Sequence, residues 1–218
     1  MGYNVAIDGP AGAGKSTIAK LVAKEKGYIY VDTGAMYRGM AIHFLDKGIR
    51  AKETDKIISA LKDAEVTIRY EEGLQQVYLN GRNITDRLRE EEVGKMASLT
   101  SAIPQVRQKL LELQKGLART QDVIMDGRDI GTCVLPDADV KIYLTASVET
   151  RAKRRYDELT EKGIACDLDE IERDIKERDE RDSTREIAPL KQAEDAVLVD
   201  SSHMTIDGVV AAIVKLCR

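Results

Sequence analysis

The sequence predicts an α/β protein: a five-stranded parallel sheet flanked by helices, with a small antiparallel insert. Three observations carry this expectation. Apolar, strand-like runs alternate with amphipathic helical ones along most of the chain, the pattern of a parallel sheet covered on both faces. A Gly-rich stretch, "GPAGAGKST" at 9–17, joins the first strand to the first helix. Residues 64–85 break the alternation with short strand-like runs around Asn80-Gly81. A chain of 218 residues suits one domain with a smaller inserted piece.

The elements follow in order. "YNVAID" (3–8) is the first strand, and a helical pattern runs from Lys15 to about Lys26 with Ile18, Leu21 and Val22 on one face. "YIYV" (28–31) is the second strand. A helix from about Thr33 to Lys47 follows, with Thr33 as its N-cap and Gly48 as its stop. Helices near 54–63 and 89–98 flank the insert, in which "EVTIRY", "QQVYLN" and "RNIT" are the short strands. Asn80-Gly81 is a strong hairpin signal, since both positions of the favoured two-residue turn need positive φ. Pro104 opens a long helix to about 119, a position where its missing N–H costs nothing. "DVIMD" (122–126) and "DVKIYL" (139–144) read as buried strands, and charged helices occupy about 148–161 and 168–184. "AVLVD" (196–200) is the last strand, and "TIDGVVAAIVKLC" the last helix. Ligands of such sheets sit beyond the C-terminal strand ends, where Asp8, Asp32, Asp126 and Asp200 fall.

Composition removes several functional classes. A formal net charge of −4 argues against a nucleic-acid partner, whose usual counterpart is a basic domain. Cys133, Cys166 and Cys217 form no CxxC pair, and His43 and His203 are far apart, so neither a disulfide framework nor a zinc site is expected. A reducing compartment fits these cysteines. "VVAAIV" (209–214) is far too short to span a membrane, and "MGYNVAIDG" lacks the pattern of a secretory leader. The expectation is a cytoplasmic protein without a membrane partner.

The stretch 9–17 matches G-x-x-x-x-G-K-[ST] with Gly9, Gly14, Lys15 and Ser16, in the required strand–loop–helix context. Small residues let successive backbone N–H groups curl around phosphate oxygens. Lys15 sets a positive charge against the β/γ-phosphates, and the Ser16 hydroxyl is a ligand for Mg²⁺. A dinucleotide-binding G-x-G-x-x-G is absent, as are an N-K-x-D guanine reader ("NITD" at 83–86 lacks the Lys) and an LSGGQ-like transporter signature. A small kinase remains, with an acceptor to identify.

Further clusters are candidates for the acceptor site. In "DTGAMYR" (32–38), Thr33 opens a helix whose N–H groups can meet an anion, and Arg38 can aim a guanidinium at the same place. "MDGRDIGT" (125–132) puts Asp126, Arg128 and Asp129 at the ligand edge of the sheet. Arg107, in the segment "SLTSAIPQVR", taken by itself reads as a solvated arginine on an amphipathic helix. In "ERDERDSTR" (177–185), helical spacing places Arg178, Arg181, Asp182 and Arg185 on one face, with Glu177, Asp179 and Glu180 mostly on the solvated side.

"GPAGAGKST", "DTGAMYR", "DGRDIGT" and "RDERDSTR…APL", in this order, resemble bacterial cytidylate kinases, over almost the whole chain. The resemblance implies a P-loop nucleoside monophosphate kinase fold. Its core would be 1–60, 95–147 and 186–218, with a monophosphate-binding insert at about 61–94 and a lid at about 148–185. It implies ATP, with Mg²⁺, as donor and CMP or dCMP as acceptor, in a monomer. ATP would be held by Gly9, Pro10, Ala11, Gly12, Ala13, Gly14, Lys15, Ser16 and Thr17. Arg151, Lys153, Arg154 and Arg155 are lid candidates, and Arg154 is assigned to ATP. Arg38 and Arg128 would hold the acceptor phosphate together with Thr33. Ser98, Arg107 and Asp129 would meet the cytosine; Arg178 and Asp182 the ribose, braced by Arg185. Lys15, Arg38, Arg128 and Arg181 are the expected catalytic cations.

Overall fold

A computed structural model describes residues 2–218. The chain begins β1 (Asn4–Asp8), α1 (Lys15–Lys26), β2 (Ile29–Asp32) and α2 (Thr33–Asp46), followed by α3 (Thr54–Ala60). The insert is β3 (Val66–Glu71), β4 (Leu74–Leu79) and β5 (Arg82–Asn83), and α4 (Glu91–Thr100) and α5 (Pro104–Thr120) follow it. The remainder is β6 (Val123–Gly127), β7 (Val140–Thr145), α6 (Val148–Glu161), α7 (Leu168–Thr184), β8 (Val197–Asp200) and α8 (Ile206–Val214).

The expected five-stranded sheet is present, in the order β2-β6-β1-β7-β8. β1 pairs in parallel with β6 and with β7, and β7 with β8, so that Asp8 stands level with Gly127 and Tyr143. Every residue of β6 is buried, as a strand covered on both faces requires.

Contacts divide the chain into two compact units, Met1–Tyr30 with Gln121–Arg218, and Val31–Thr120. In the first, the strand residues Val5, Ile7, Ile124, Ile142 and Leu144 pack with Ile18, Ala19 and Val22 of α1 and Val209, Val210 and Ile213 of α8. α6 and α7 pack side by side in the same unit. In the second, α2 packs on α4, α5 and the β3–β4 hairpin. Helix and hairpin approach closely because Gly39 has no side chain; a Cβ there would stand 3.4 Å from methyls of Val66 and Val77. The Asn80-Gly81 expectation holds: both have positive φ, 50° and 79°, and they connect β4 to β5. Glu72-Gly73 turns β3 into β4 with the same pair of signs.

The structure departs from the sequence expectation at several helix and loop boundaries. Thr33 is not the cap of α2; Asp32 is, its Oδ1 accepting from the Ala35 N–H at 2.9 Å. A carboxylate one residue earlier reaches the N3 amide, the usual capping geometry. Residues 130–134, between the strand at 122–126 and that at 139–144 and given no element by the sequence, form a π-helical turn. α7 stops at Thr184, so Arg185 has extended backbone and lies outside the helical stripe. Among the described residues, no helix is long and apolar enough to cross a membrane.

Leu144 is fully buried beneath the ligand end of β7. Leu144→Ala is expected to cost about 2–5 kcal/mol of unfolding free energy through lost burial and a residual cavity, measured by urea denaturation.

Candidate active site

The phosphate loop is shaped by what surrounds it. A Cβ on Gly9 would fall 1.9 Å from the Leu144 carbonyl oxygen, so β7 admits only glycine there. Gly14, at φ 86°, ends the loop in the left-handed region as α1 begins. Lys15 then enters the protein, only 6% exposed, and its Nζ donates to the Pro10 carbonyl at 2.8 Å. Burial, reinforced by the charge of Arg128, holds the Lys15 ammonium well below its ordinary pKa; Arg178 adds to the effect, while Asp126 and Asp8 oppose it. The loop is thus underlain by cations that disfavour one another, the condition an anionic ligand relieves.

Beneath the loop, Ser16 Oγ donates to Asp126 Oδ2 at 2.8 Å, and the Tyr30 hydroxyl donates to Oδ1 of the same carboxylate at 2.9 Å. Asp8, buried at the end of β1, accepts from the Ile130 and Gly131 N–H groups at 2.8 and 2.7 Å. These bonds pin the turn that follows Arg128 and Asp129. Burial nevertheless pushes the Asp8 carboxyl up to about 6 from an ordinary 3.8.

α6 and α7 complete the first unit's site. Arg128 Nε donates to Asp182 Oδ2 at 2.9 Å, and Arg185 Nη2 to Asp129 Oδ1 at 3.3 Å. Arg185 Nε also donates to the Ala188 carbonyl. Arg151 donates to the carbonyls of Ala146 and Ala11 and pairs with Asp179 at 2.7 Å. Asp179 in turn accepts from the Ala11 N–H at 3.4 Å.

In the second unit, Asp32 caps α2, and Thr33, in its first turn, is buried. A Cβ on Gly34 would stand 3.2 Å from Asp32 Oδ1 and 3.3 Å from Arg38 Nη1, which places that guanidinium over the same turn. Arg107 lies 5.7 Å from the Tyr37 ring centroid and donates to the Ser101 carbonyl, while the Ser101 hydroxyl donates to the Ser98 carbonyl. Ser98 itself is buried on α4.

A family model described as "Cytidylate kinase" matches residues 5–218. The chain belongs to the cytidylate kinase family. The cytidylate kinase of Caldicellulosiruptor saccharolyticus is 50% identical over 98% of this chain and 94% of its own. That of Lactobacillus johnsonii is 50% identical over 98% and 93%, and that of Shouchella clausii 48% over 100% and 96%. Among solved structures, an uncharacterized protein from Eubacterium ventriosum superposes with a TM-score of 0.51 at 11% identity, covering 98% of this chain and 96% of its own, a likeness of fold alone.

Within this member of the family, the first unit holds Lys15 on the Pro10 carbonyl, Ser16 on Asp126, Arg128 on Asp182 and Arg185 on Asp129. The second unit carries Thr33, Arg38, Ser98 and Arg107 on packed helices. Arg151, one of the lid candidates, is 4% exposed and fastened to the phosphate loop through the Ala11 carbonyl. The expectation for Asp179 is corrected. Asp179 is not on the solvated side of α7, because it neutralises Arg151. Arg154 donates to the Ser201 carbonyl at 2.8 Å and to its hydroxyl, whereas Lys153 and Arg155 pair with Asp157 and Glu158 along the exposed helix face. Reading the sequence missed Tyr30, Tyr37 and Asp179 as neighbours of the candidate residues. Asp126 had a visible signal, its place at a strand end, without a partner to assign it.

The raised Asp8 carboxyl has a consequence for stability. Between pH 3.8 and about 6 the folded protein binds a proton that the unfolded chain does not. This group therefore makes stability fall as pH rises through that window. Subtracting the unfolding free energy of Asp8→Asn from that of the wild type at each pH is expected to isolate that decline; a difference flat from pH 4 to 6.5 refutes it.

Proposed function

We propose that the protein transfers the γ-phosphoryl group of ATP to the phosphate of CMP and dCMP, giving ADP with CDP or dCDP. Family membership carries ATP-dependent phosphorylation of CMP. The observation on the structure that supports it best is the buried Lys15 beside Arg128 and Arg178, a cationic site under a loop of phosphate-binding shape.

No general base is required. The attacking atom is a phosphate oxygen of the acceptor, ionised at neutral pH because its second pKa is about 6. The obstacle is the approach of two anions in line, and the protein's contribution is charge and positioning. Lys15 steadies the transferring group. Arg38, Arg128 and Thr33 hold the acceptor phosphate, and Arg181 adds charge from α7. The Ser16 hydroxyl and the Asp126 carboxylate that accepts from it are hard oxygen donors, which fit Mg²⁺. Mg²⁺ bound there, with Ser16 as its protein ligand, supplies neutralisation of the β/γ-phosphate charge. Residues 9–17 cradle ATP, and Arg154 fixes the loop after β8 through Ser201 on the donor side.

Acceptor selectivity follows from donor and acceptor chemistry. The Asp129 carboxylate accepts from cytosine N4, and Arg107 donates to N3 or O2, with Ser98 beside it. Arg178 and Asp182 take the ribose, with Arg185 bracing Asp129. Uracil reverses the hydrogen-bond sense at N3 and position 4, and each buried mismatch costs about 1–3 kcal/mol.

In initial-rate assays with ATP–Mg²⁺, kcat/KM for UMP is expected to be on the order of 100-fold below that for CMP; comparable values refute the base reading. Lys15→Ala is expected to lose about 100-fold or more in kcat with the fold retained by circular dichroism. Asp182→Ala is expected to raise KM for CMP and dCMP about tenfold, since a charge-assisted hydrogen bond is lost; unchanged kinetics would return α7 to a purely structural role.

A further inference from the structure

β4 presents Gln75, Val77 and Leu79 on one face by strand alternation. Val77 is fully buried and Leu79 nearly so, against α2 and its surroundings. A carboxamide at the end of this apolar row calls for a specific partner. Its cross-strand neighbour on β3 is Tyr70, whose phenol burial pushes up to about 12, so this end of the hairpin is not simply solvated.

Gln75 has that partner in the backbone of Asp32. Its Oε1 accepts from the Asp32 N–H at 2.9 Å, and its Nε2 donates to the Asp32 carbonyl at 3.2 Å. The carboxamide thus pairs with one residue as a neighbouring strand would, holding both main-chain polar groups of Asp32 at once. Asp32 is where β2 becomes α2, and its side chain caps the helix on Ala35. The first turn so started carries Thr33 and Gly34, and over it lies the guanidinium of Arg38, near Asp32 Oδ1.

We propose that Gln75 is a positioning residue for the acceptor nucleotide: through its two hydrogen bonds to the Asp32 backbone, the antiparallel insert sets the orientation of the first turn of α2, and with it Thr33 and Arg38. The inference rests on the acceptor role given to Thr33 and Arg38 above. Gln75 touches no reacting atom in this scheme. It fixes the peptide plane from which the acceptor-binding groups are aimed, and it gives the insert a part in acceptor affinity that packing alone would not.

The test compares wild type, Gln75→Ala and Gln75→Glu for kcat, KM for CMP, KM for ATP and thermal midpoint. Alanine removes both bonds; glutamate, ionised at neutral pH, keeps an acceptor for the Asp32 N–H but turns a carboxylate oxygen toward the Asp32 carbonyl. Both variants are expected to raise KM for CMP about tenfold, the value of one to two net hydrogen bonds, with KM for ATP within about twofold of wild type. Glutamate is further expected to recover toward wild type, in KM ratio, as pH falls and its neutral acid again both donates and accepts. Unchanged KM for CMP in both variants overturns the proposal. So does an equal rise in both KM values with a lowered midpoint, the mark of a general structural defect. If Gln75→Ala does not fold, the pH course of the Glu variant decides. Wild-type enzyme that fails to turn over CMP instead defeats the acceptor assignment, a result distinguishable from both.

Discussion

A lysine ammonium withdrawn from water loses far more than one carbonyl can return. The Lys15 ammonium donates to the Pro10 carbonyl, two other cations bear on the same charge, and the carboxylates opposing them are themselves buried. The rest of the first unit is arranged around this condition. Gly9 must lack a side chain for the loop to pass β7. Asp126 is committed to Ser16 and Tyr30, and Asp8 to the amides after Asp129, so neither stands as a simple counter-ion to Lys15. Under the proposed function, the triphosphate of ATP balances this charge at the loop amides.

The outer helices extend the same logic. Arg151 and Asp179 form a pair that holds both polar groups of Ala11, tying the loop to α6 and α7. An ion pair of this depth adds little net stability against an apolar substitute, but removing one partner strands the other. Its evident effect is to fix where the loop sits. Asp182 and Arg185 do the same for Arg128 and Asp129, so that acids and bases around the site orient one another rather than remaining mobile in solvent.

In the second unit, orientation comes from main-chain bonding. Asp32 supplies its carboxylate to cap α2 and its backbone to Gln75, and the helix that follows carries Thr33, Tyr37 and Arg38. Tyr37 gives Arg107 an aromatic face, which holds that guanidinium beside Ser101 instead of in bulk water.

The sequence by itself determined whatever depends on neighbours along the chain. Alternating strand and helix periodicity specified the parallel sheet, Asn80-Gly81 specified a turn whose two positive φ angles few other pairs tolerate, and the spacing of Gly9, Gly14, Lys15 and Ser16 specified the phosphate loop. Tertiary structure alone decided which charged side chains turn inward. Arg151 reaches Ala11 across 140 positions, Arg128 reaches Asp182 across 54, and Gln75 reaches Asp32 across 43. Asp179 looked solvated because helical spacing describes a face without saying what packs against it. Thr33 looked like a cap because an acid one residue earlier competes for the same amide, and backbone geometry settles that competition. Local periodicity encodes conformation; the low dielectric of a packed interior chooses among the partners that conformation makes available.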